Sequence, residues 1–534
     1  MTSSAGAKDR YTVAGLMRHL ARVQPDHEMF VAGDERRTWG QEYAAACRVA
    51  RALEREGVGV GDRVAFLDRN GIAYFDVLFG GSFIGAVNVA VNWRLAPAEM
   101  AAIINDAKAS ILVVHPDYLP AVADMRSTLP SVRRIVVLGS ADTAAAADDR
   151  AVAFDEWIAG CPAEDPGRVG APDEVSMQLY TSGTTGLPKG VMLTNANLST
   201  AIGLAGETFH AGNDVVSLVA MPLFHIGGSG WALSAMSRGG RSVILRDVDP
   251  GLLLHLIETE GITEMFIVPA VLMLLLASPG LSTTDLASLR TIFYGASPIS
   301  EDVLVKCIAA FGCGFCQVYG MTETSGAITW LPFEDHDPDG PRRGLLRSAG
   351  KPHPAIELRV VDPDTGKDAD LGEVGEIWTR SAFNMAGYWA KPEDTAGTID
   401  AEGWLRTGDA GYFDADGYLY LHDRIKDMIV SGGENIYPAE VENVLLSHPD
   451  VVDAGVIGVP DDKWGETVKA IVVLAPGAAQ DEAGIIAHCR QNLAHYKCPT
   501  SVDSADALPR NPSGKILKRE LRAPYWAGQE RAIH

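Results

Sequence analysis

The feature that most constrains the fold is an alternation of short β-branched runs with helical segments between residues 40 and about 420. Such alternation is typical of parallel sheets whose strands are joined by crossover helices. The predicted strands include residues 63–67, 111–114, 134–138, 242–245, 264–268 and 291–294. The run 270–277 is apolar all round and predicts a helix buried between layers. The pattern therefore predicts an α/β fold.

Two further regions differ from this alternation. Around residues 362–375, Asp, Gly and Pro punctuate a change to short hairpin-like strands at 356–361, 376–380 and 418–422, which predicts a small β-rich subdomain. Beyond a boundary at 423–427 lies an α+β unit of ordinary domain size. We therefore predict an N-terminal domain at 1–422, a hinge at 423–427 and a C-terminal domain at 428–534.

A loop rich in glycine and hydroxyl groups, Tyr180-Thr-Ser-Gly-Thr-Thr-Gly-Leu-Pro-Lys-Gly190, follows a predicted strand at 175–180. Its glycines let backbone N–H groups approach one anion closely, and its hydroxyls and Lys189 add donors and positive charge. Strand ends are where α/β proteins bind ligands, so the loop predicts a polyphosphate site. It is not a Walker A loop, because Gly190 stands where Ser or Thr would hold magnesium. A glycine-rich surface turn is the structural alternative.

Charge and composition disfavour several classes of function. The net charge of −24 argues against broad nucleic-acid binding and against steering to anionic membranes. Residues 1–10 are polar without an apolar run behind them, and the most apolar run, 267–277, falls short of the about 20 residues that span a bilayer. Seven scattered cysteines suggest a reducing, cytoplasmic setting. Cys313 and Cys316 form a lone CxxC, better explained by a buried strand start than by a metal site.

The remaining motifs occur in a characteristic order. They are Met221-Pro-Leu-Phe-His225-Ile-Gly-Gly228, Tyr294-Gly-Ala-Ser-Pro298, Gln317-Val-Tyr-Gly-Met-Thr-Glu-Thr324, Gly403-Trp-Leu-Arg-Thr-Gly-Asp409, Asp423-Arg-Ile-Lys426, Ser431-Gly-Gly-Glu-Asn435 and Pro509-Arg-Asn-Pro-Ser-Gly-Lys515. With the glycine-rich loop, this series resembles the adenylate-forming superfamily, and within it the bacterial fatty-acid-type acyl-CoA synthetases. The resemblance extends from about residue 12 to residue 520.

The resemblance implies an AMP-forming acid-thiol ligase. Such an enzyme joins a carboxylic acid to AMP with release of pyrophosphate, then passes the acyl group to coenzyme A, using ATP and Mg²⁺. The implied fold has a large N-terminal domain of two doubly wound α/β subdomains plus a β-rich subdomain, and a small mobile α+β C-terminal domain. The implied partners are small molecules, with neither nucleic acid nor integral membrane association. The oligomeric state is open, with a homodimer as one alternative.

Catalysis in such an enzyme must neutralise charge, because a carboxylate attacking a phosphate is an anion meeting an anion. By resemblance, the 181–189 loop holds the β- and γ-phosphates, and Glu323 with Thr181 holds Mg²⁺, a hard ion that suits oxygen ligands. Lys515 bridges the carboxylate and the α-phosphate. The catalytic set implied is Lys515, Lys189, Glu323 and His225. Without the resemblance, Glu323 is also consistent with a helix-capping residue. Lys515 is likewise consistent with a solvated charge on the protein surface.

The nucleotide site is implied in the same way. Asp409 accepts hydrogen bonds from the ribose hydroxyls with help from Arg424, and Tyr319 stacks on adenine. The full set is Thr181, Ser182, Gly183, Thr184, Thr185, Gly186, Lys189, Gly295, Ala296, Ser297, Gln317, Tyr319, Gly320, Thr322, Asp409, Arg424 and Lys515. Without the resemblance, Asp409 fits a turn and Tyr319 a buried strand position.

His225 is implied to gate the passage from the thiol to the acyl-adenylate, although a lone His there also fits a core position. Amino-acid-activating relatives carry Asp where His225 stands, so we expect a substrate without an amine. The acyl pocket is expected among 226–231, 268–273 and 295–299, which are apolar and lack Lys and Arg. Medium- or long-chain aliphatic acids and aryl acids both fit. The implied acyl and CoA channel is His225, Gly228, Trp231, Val268, Ser431, Gly432, Gly433 and Glu434.

Lys426 matches the position about which the C-terminal domain turns between half-reactions. A site that shields an acyl phosphate from water must change to admit a thiol. Two alternatives stay open: transfer of the acyl group to an amine or a carrier-protein thiol, and a non-catalytic homologue that binds nucleotide or acyl groups. The intact set Lys189, Glu323, Asp409 and Lys515 argues against the second.

Overall fold

The computed structural model of the chain describes residues 12–181, 188–208, 214–297, 299–363, 365–424, 427–431, 434–461, 463–510 and 515–527. Eight residues with predicted roles lie outside these ranges: Ser182, Gly183, Thr184, Thr185, Gly186, Lys426, Gly432 and Gly433. Among the described residues, none of the helices is both long and apolar enough to cross a bilayer.

The elements are numbered here in chain order. The strands are β1 (Glu28–Ala32), β2 (Glu35–Thr38), β3 (Arg63–Leu67), β4 (Val87–Ala90), β5 (Ile111–Val114), β6 (Arg134–Val137), β7 (Ala151–Ala153), β8 (Val175–Thr181), β9 (Lys189–Thr194), β10 (Val216–Val219), β11 (Arg241–Ile244), β12 (Glu264–Ile267), β13 (Thr291–Gly295), β14 (Gly314–Met321), β15 (Gly326–Leu331), β16 (Lys351–Pro352), β17 (Glu357–Val361), β18 (Gly375–Arg380), β19 (Gly387–Tyr388), β20 (Leu405–Phe413), β21 (Leu419–Arg424), β22 (Ile429–Ser431), β23 (Glu434–Ile436), β24 (Val451–Asp461), β25 (Gly465–Leu474) and β26 (Ser501–Ser504). The α-helices are α1 (Val13–Val23), α2 (Trp39–Arg55), α3 (Ile72–Ile84), α4 (Pro97–Asp106), α5 (Leu119–Met125), α6 (Ala141–Ala147), α7 (Phe154–Ile158), α8 (Asn195–Thr208), α9 (Ile226–Ser237), α10 (Pro250–Glu260), α11 (Pro269–Leu276), α12 (Glu301–Phe311), α13 (Pro392–Thr398), α14 (Pro438–Leu446), α15 (Glu482–Asn492) and α16 (Lys518–Arg522).

Two large sheets form the body of the protein. The eight-stranded sheet has the order β19-β9-β8-β4-β3-β5-β6-β7, and the nine-stranded sheet has the order β16-β15-β14-β13-β12-β10-β11-β1-β2. Their central strands are parallel, and antiparallel strands complete three of the four edges, whereas β7 at the fourth edge is parallel to β6. One hydrophobic cluster joins residues of both sheets, among them Phe66, Val191 and Phe293. The predicted α/β class is confirmed, and the predicted strands in these sheets are found with ends shifted by at most one residue.

Two smaller sheets complete the fold. The antiparallel sheet β17-β18-β20-β21 is the predicted β-rich subdomain. A five-stranded sheet, with the order β23-β22-β25-β24 and β26 beside β25, packs with α14 and α15 around its own core, which includes Ile436, Val456 and Cys489. The mixed α+β character predicted for this end of the chain is therefore confirmed.

Helix α11 departs from its predicted environment. The predicted run 270–277 is helical as far as Leu276, but the Leu274 side chain is 52% exposed, whereas Leu272 and Leu275 are fully buried. The prediction of burial on every side was wrong because one face of α11 packs into the hydrophobic cluster while Leu274 on its other face is exposed to solvent. Apolar residues are common on protein surfaces, so composition alone does not identify a buried helix.

Candidate active site

The carboxyl ends of β8, β13 and β14 carry most of the predicted nucleotide residues. Thr181 ends β8, Gly295 ends β13, and Glu323 follows β14 in a short 3₁₀ turn at Thr322–Thr324. The Thr181 hydroxyl donates a hydrogen bond to Glu323 Oε1 at 3.2 Å. This contact joins the two large sheets, so two residues separated widely in the chain form one polar centre.

The Glu323 carboxylate is held from two sides. Glu323 is 5% exposed, and its Oε1 accepts from the Tyr388 hydroxyl at 3.0 Å as well as from Thr181. The Glu323 carbonyl accepts from the Met385 N–H at 2.8 Å. A carboxylate and a hydroxyl are the oxygen donors that Mg²⁺ prefers, and Mg²⁺ commonly takes one or two carboxylates together with substrate phosphates. The residues present therefore fit such an ion.

Lys189 lies beside this centre. It opens β9 and is the direct cross-strand partner of Thr181 in the antiparallel β8–β9 pair. Its ammonium forms an ion pair with Asp394 of α13 and lies 5.1 Å from the centroid of the Tyr388 ring. The Lys189 side chain is only 12% exposed. The register of two strands thus brings the lysine next to the Thr181–Glu323 contact, while the intervening residues 182–187 lie outside the described structure.

Tyr388 and Asp394 were missed by the sequence analysis. Tyr388 contacts both Glu323 and Lys189, and its N–H is bonded to the hydroxyl of Thr395 in the same helix as Asp394. Burial and the Glu323 carboxylate raise the pKa of the Tyr388 phenol, which therefore remains a donor at neutral pH. No local sequence pattern identifies these distant partners.

The residues predicted for adenine and ribose are also brought together. The Tyr319 hydroxyl donates to Asp409 Oδ2 at 2.9 Å, and Asp409 on β20 is the cross-strand partner of Arg424 on β21. Gln317 and Tyr319 are two apart on β14 and share one face of the strand. Thr322 is buried directly beyond that strand. A nucleotide role for this group stays a prediction, which the grouping supports.

Two glycines of this region are required by backbone packing. A Cβ at Gly295 would lie 2.1 Å from the Val318 carbonyl oxygen, and one at Gly320 would lie 1.9 Å from the carbonyl oxygen of Gly326. Neither distance is tolerable for a side chain. The chain then turns at Ala296, which has a φ of 64° and is exposed, and Ser297 is half-buried beside it. Close strand contact is therefore the physical reason for glycine at positions 295 and 320.

An apolar cavity of about 180 Å³ opens next to the polar centre. It lies between α8, α9 and the strands β12 to β15. Its lining consists of Leu198, Ala201, Ile202, Leu204, Ile226, Gly227, Gly230, Trp231, Leu233, Ser234, Phe266, Phe293, Ala296, Val318, Gly320, Ser325, Gly326, Ala327, Trp330 and Phe383. The predicted segments 226–231 and 295–299 both contribute, whereas Val268, at the start of α11, is buried outside this lining.

His225 precedes α9 at the edge of this region. Its ring lies 4.5 Å from that of Phe224, and its carbonyl accepts from the N–H of Ser229. Within the part of the chain that the structure describes, the His225 Nε2 atom is buried without a hydrogen-bond partner. Burial, with the nearby Arg94 charge, lowers the pKa of His225 to about 4. A Cβ at Gly228 would lie 2.2 Å from the Pro222 carbonyl oxygen, so this turn requires glycine.

The remaining predicted residues belong to the C-terminal part. Ser431 of β22 pairs with Glu434 of β23 and with Gly465 of β25. Lys515 is half-buried and precedes Ile516, which pairs with Arg510 in an isolated antiparallel β-bridge. Asp427, next to the predicted hinge residue Lys426, is buried and ion-paired with Arg522 of α16. Roles in the CoA channel, catalysis and domain rotation stay predictions.

Known proteins resemble this chain over nearly its whole length. The family model of AMP-binding enzymes matches residues 17–389, and that of the AMP-binding enzyme C-terminal domain matches residues 440–515. The chain is 39% identical over 504 residues to the fatty acid–[acyl-carrier-protein] ligase ScoC of Streptomyces coeruleorubidus, with 93% of each chain covered. It is 38% identical over 508 residues to a feruloyl-CoA synthase of an Amycolatopsis species, covering 95% of this chain and 97% of the relative.

A solved structure agrees with these relatives. The amide bond synthetase McbA from Marinactinospora thermotolerans superposes with a TM-score of 0.85 at 31% identity, covering 96% of this chain and 100% of that one. Fold, motif order and family models thus point the same way. The chain belongs to the AMP-binding enzyme family of the adenylate-forming superfamily.

Proposed function

We propose that this enzyme is an ATP-dependent acyl-CoA ligase acting on a hydrophobic carboxylic acid without an amine. In the first half-reaction a carboxylate oxygen attacks the α-phosphorus of ATP, the bond to the β-phosphate oxygen breaks, and pyrophosphate leaves. In the second, the CoA thiol loses its proton, its sulfur attacks the acyl carbonyl, and AMP leaves. The products are acyl-CoA, AMP and pyrophosphate.

One observation carries the proposal: the polar centre and the apolar cavity are adjacent. The Thr181–Glu323 contact and Lys189 lie beside the carboxyl ends of β8 and β14, and Gly320 of β14 lines the cavity. An enzyme that joins an apolar acid to a nucleotide needs its carboxylate at such a junction, because effective catalysis requires both reactants to be held in position. A nucleotide-binding protein without an acid substrate has no need of the cavity.

The residues contribute mainly charge and position. Lys189 supports the departing pyrophosphate, Glu323 and Thr181 supply oxygen ligands for Mg²⁺, and Tyr319 with Asp409 binds the nucleoside. Bound Mg²⁺ would offset the negative charge of the phosphates. Lys515, by resemblance to the family, reaches the α-phosphate from the C-terminal domain. The buried His225 ring, neutral at pH 7, then separates the thiol passage from the acyl-adenylate until the domain rotates about Lys426.

The lining of the cavity favours one class of acid. Apart from the hydroxyls of Ser234 and Ser325, the described lining residues carry only apolar side chains or none. A charged amine or a second carboxylate buried there would lose hydration without gaining a partner. Apolar burial instead stabilises each methylene by about 0.8 kcal/mol. An uncharged hydrophobic body therefore fits best.

CoA is proposed as the acceptor because feruloyl-CoA synthase is among the relatives with near-complete coverage. A second candidate acceptor has its own support, since ScoC is named a ligase for an acyl carrier protein and McbA an amide bond synthetase. Acceptor contacts are made outside the acid and nucleotide sites, so the shared centre is compatible with each. Adenylation is common to all three alternatives.

The decisive experiment follows pyrophosphate release with ATP, Mg²⁺ and a panel of acids, then identifies the product by mass spectrometry with CoA, a holo carrier protein or an amine. We expect pyrophosphate release with hydrophobic acids and an acyl-CoA product. Lys515→Ala serves as the impaired enzyme, and Lys306→Ala, an exposed lysine of α12, as the matched control. Absence of ATP cleavage with every acid would overturn the proposal and favour a non-catalytic binding protein.

A further inference from the structure

The apolar cavity has an open end and a closed end. Ala296 is exposed and Gly320 is half-buried, and they follow the predicted nucleotide residues Gly295 and Tyr319 directly in the chain. Trp231 of α9 and Phe293 of β13 are buried in the lining at the other end. An acid whose carboxylate lies at the nucleotide end therefore extends its body toward Trp231.

The closed end is built from rigid aromatic groups. The Trp231 ring centroid lies 4.9 Å from that of Phe293 and 6.2 Å from that of Phe266. Its indole N–H donates to the Leu218 carbonyl of β10 at 3.1 Å. This hydrogen bond and the two ring contacts fix the indole against three neighbouring strands, so it cannot move aside without leaving a buried N–H unpaired.

A charged pair supports the same indole from within the protein. The Arg238 guanidinium lies 5.8 Å from the Trp231 ring centroid, and its Nη1 donates to Glu264 Oε2 at 2.6 Å. The Arg238 side chain is fully buried. Displacement of the ring by a longer acid would disturb this buried ion pair, which is costly to break. The Trp231 side chain is therefore held in one position and does not rearrange to admit a longer acid.

The volume of the cavity limits the size of the acyl body that it can hold. At about 180 Å³, it is only slightly larger than engineered cavities of about 150 Å³ that bind benzene. Five aromatic side chains contribute to its lining: Trp231, Phe266, Phe293, Trp330 and Phe383. A body of one substituted ring, or an aliphatic chain of similar volume, fills such a space. A long-chain fatty acid would have to extend beyond this volume, through the open end of the cavity.

We propose that Trp231 determines substrate size and restricts this enzyme to monocarboxylic acids with a compact, uncharged, apolar body about as large as one substituted benzene ring. This rests on the proposed adenylation of an apolar acid and specifies it further. Aryl and medium-chain aliphatic bodies share the required chemistry. Trp231 is assigned a specificity role, because it contacts the acyl body and not the reacting atoms.

The test compares kcat/KM for pyrophosphate release with 3-phenylpropanoate, octanoate, dodecanoate and palmitate. Wild-type enzyme should prefer one of the two compact acids to palmitate by at least about tenfold, the discrimination expected when a hydrophobic pocket lacks room. The ratio of kcat/KM for 3-phenylpropanoate to kcat/KM for octanoate shows whether the enzyme prefers an aryl or an aliphatic body. Trp231→Ala should raise kcat/KM for dodecanoate relative to octanoate by about tenfold.

Controls keep a folding defect separate from a change in specificity. Trp231→Phe retains a ring and should shift the profile less, and Phe333→Ala truncates an aromatic side chain that is 53% exposed and outside the lining. Should Trp231→Ala fail to fold, the wild-type profile and Trp231→Phe still decide the matter. The inference would be overturned if wild-type enzyme showed the same kcat/KM for palmitate as for the compact acids. It would also be overturned if folded Trp231 variants showed the same chain-length preference as wild type. Pyrophosphate release by none of the acids would instead defeat the proposed function.

Discussion

The Tyr388 hydroxyl donates to Oε1 of Glu323 at 3.0 Å, the same oxygen that accepts from Thr181 at 3.2 Å. This arrangement orients the carboxylate proposed to hold Mg²⁺. Tyr388→Phe should therefore raise the Mg²⁺ concentration for half-maximal pyrophosphate release by about tenfold, as loss of a group behind a metal ligand commonly does. Tyr496→Phe, on an exposed ring, is the matched control. An unaltered Mg²⁺ dependence would show that Tyr388 contributes to packing and not to Mg²⁺ binding.

Asp394 holds the ammonium of Lys189 in an ion pair at the start of α13. Because Asp394 is 36% exposed, the pair should stabilise the lysine's position only modestly. Asp394→Asn should raise KM for ATP by about fivefold with little change in kcat, since a partly screened pair is worth about 1 kcal/mol. Glu393→Gln tests the effect of removing a neighbouring charge. Identical KM values for ATP in wild type, Asp394→Asn and Glu393→Gln would show that Asp394 does not contribute to ATP binding.

Lys515 is expected to act only in adenylation. Lys515→Ala should lower the rate of pyrophosphate release by about 10²- to 10³-fold, the usual cost of one transition-state donor. Transfer from supplied acyl-AMP to CoA should fall far less. The two half-reactions are measured separately, with Lys306→Ala alongside. A loss of similar size in both steps would indicate a general defect instead of a role at the α-phosphate.

Lys426 is expected to be the pivot between half-reactions. Lys426→Pro removes a backbone donor and fixes φ, so it should slow rotation of the C-terminal domain. Thioester formation from acyl-AMP should then fall by more than adenylation does. Rapid-quench measurements of the two steps provide the comparison. Rates that decline in parallel, or not at all, would reject the pivot.

His225 should make stability depend on pH. Its pKa falls from the ordinary 6.5 to about 4 on folding because the ring is buried, so between these values the unfolded chain binds a proton that the folded chain does not. Stability should therefore decrease as pH falls from 6.5 toward 4, by about 1.4 kcal/mol per pH unit for one proton. In His225→Phe, the free energy of unfolding measured by denaturant titration should depend less steeply on pH, by the contribution of one proton, about 1.4 kcal/mol per pH unit.

His336 contributes in the same direction. Burial lowers the pKa of His336 to about 4 as well, while its ring is held between the Tyr294 hydroxyl and the Pro332 carbonyl. Some pH dependence should therefore persist in His225→Phe. A slope equal to that of wild type would mean that His225 is solvated, in conflict with its buried Nε2 atom.

Local patterns determined much of the fold. Strands such as β3 and β5 were predicted with their observed ends because β-branched runs bounded by turn residues are a short-range signal. The glycine-rich loop and the order of motifs likewise indicated the chemistry. Burial was less readable: α11 has the expected apolar composition, yet Leu274 faces solvent.

Tertiary structure alone decided which side chains meet. Tyr388 and Glu323 are 65 residues apart, and Lys189 and Asp394 are 205 apart. Their contacts arise only when β9, β14 and β19 are brought together by sheet pairing and sheet packing, which no local periodicity encodes. The same holds for the closed end of the cavity, where the Trp231 indole is fixed by a carbonyl of β10 and by rings of β12 and β13. The sequence thus specified the chemical groups, and the packing of distant strands determined their partners and the space they enclose.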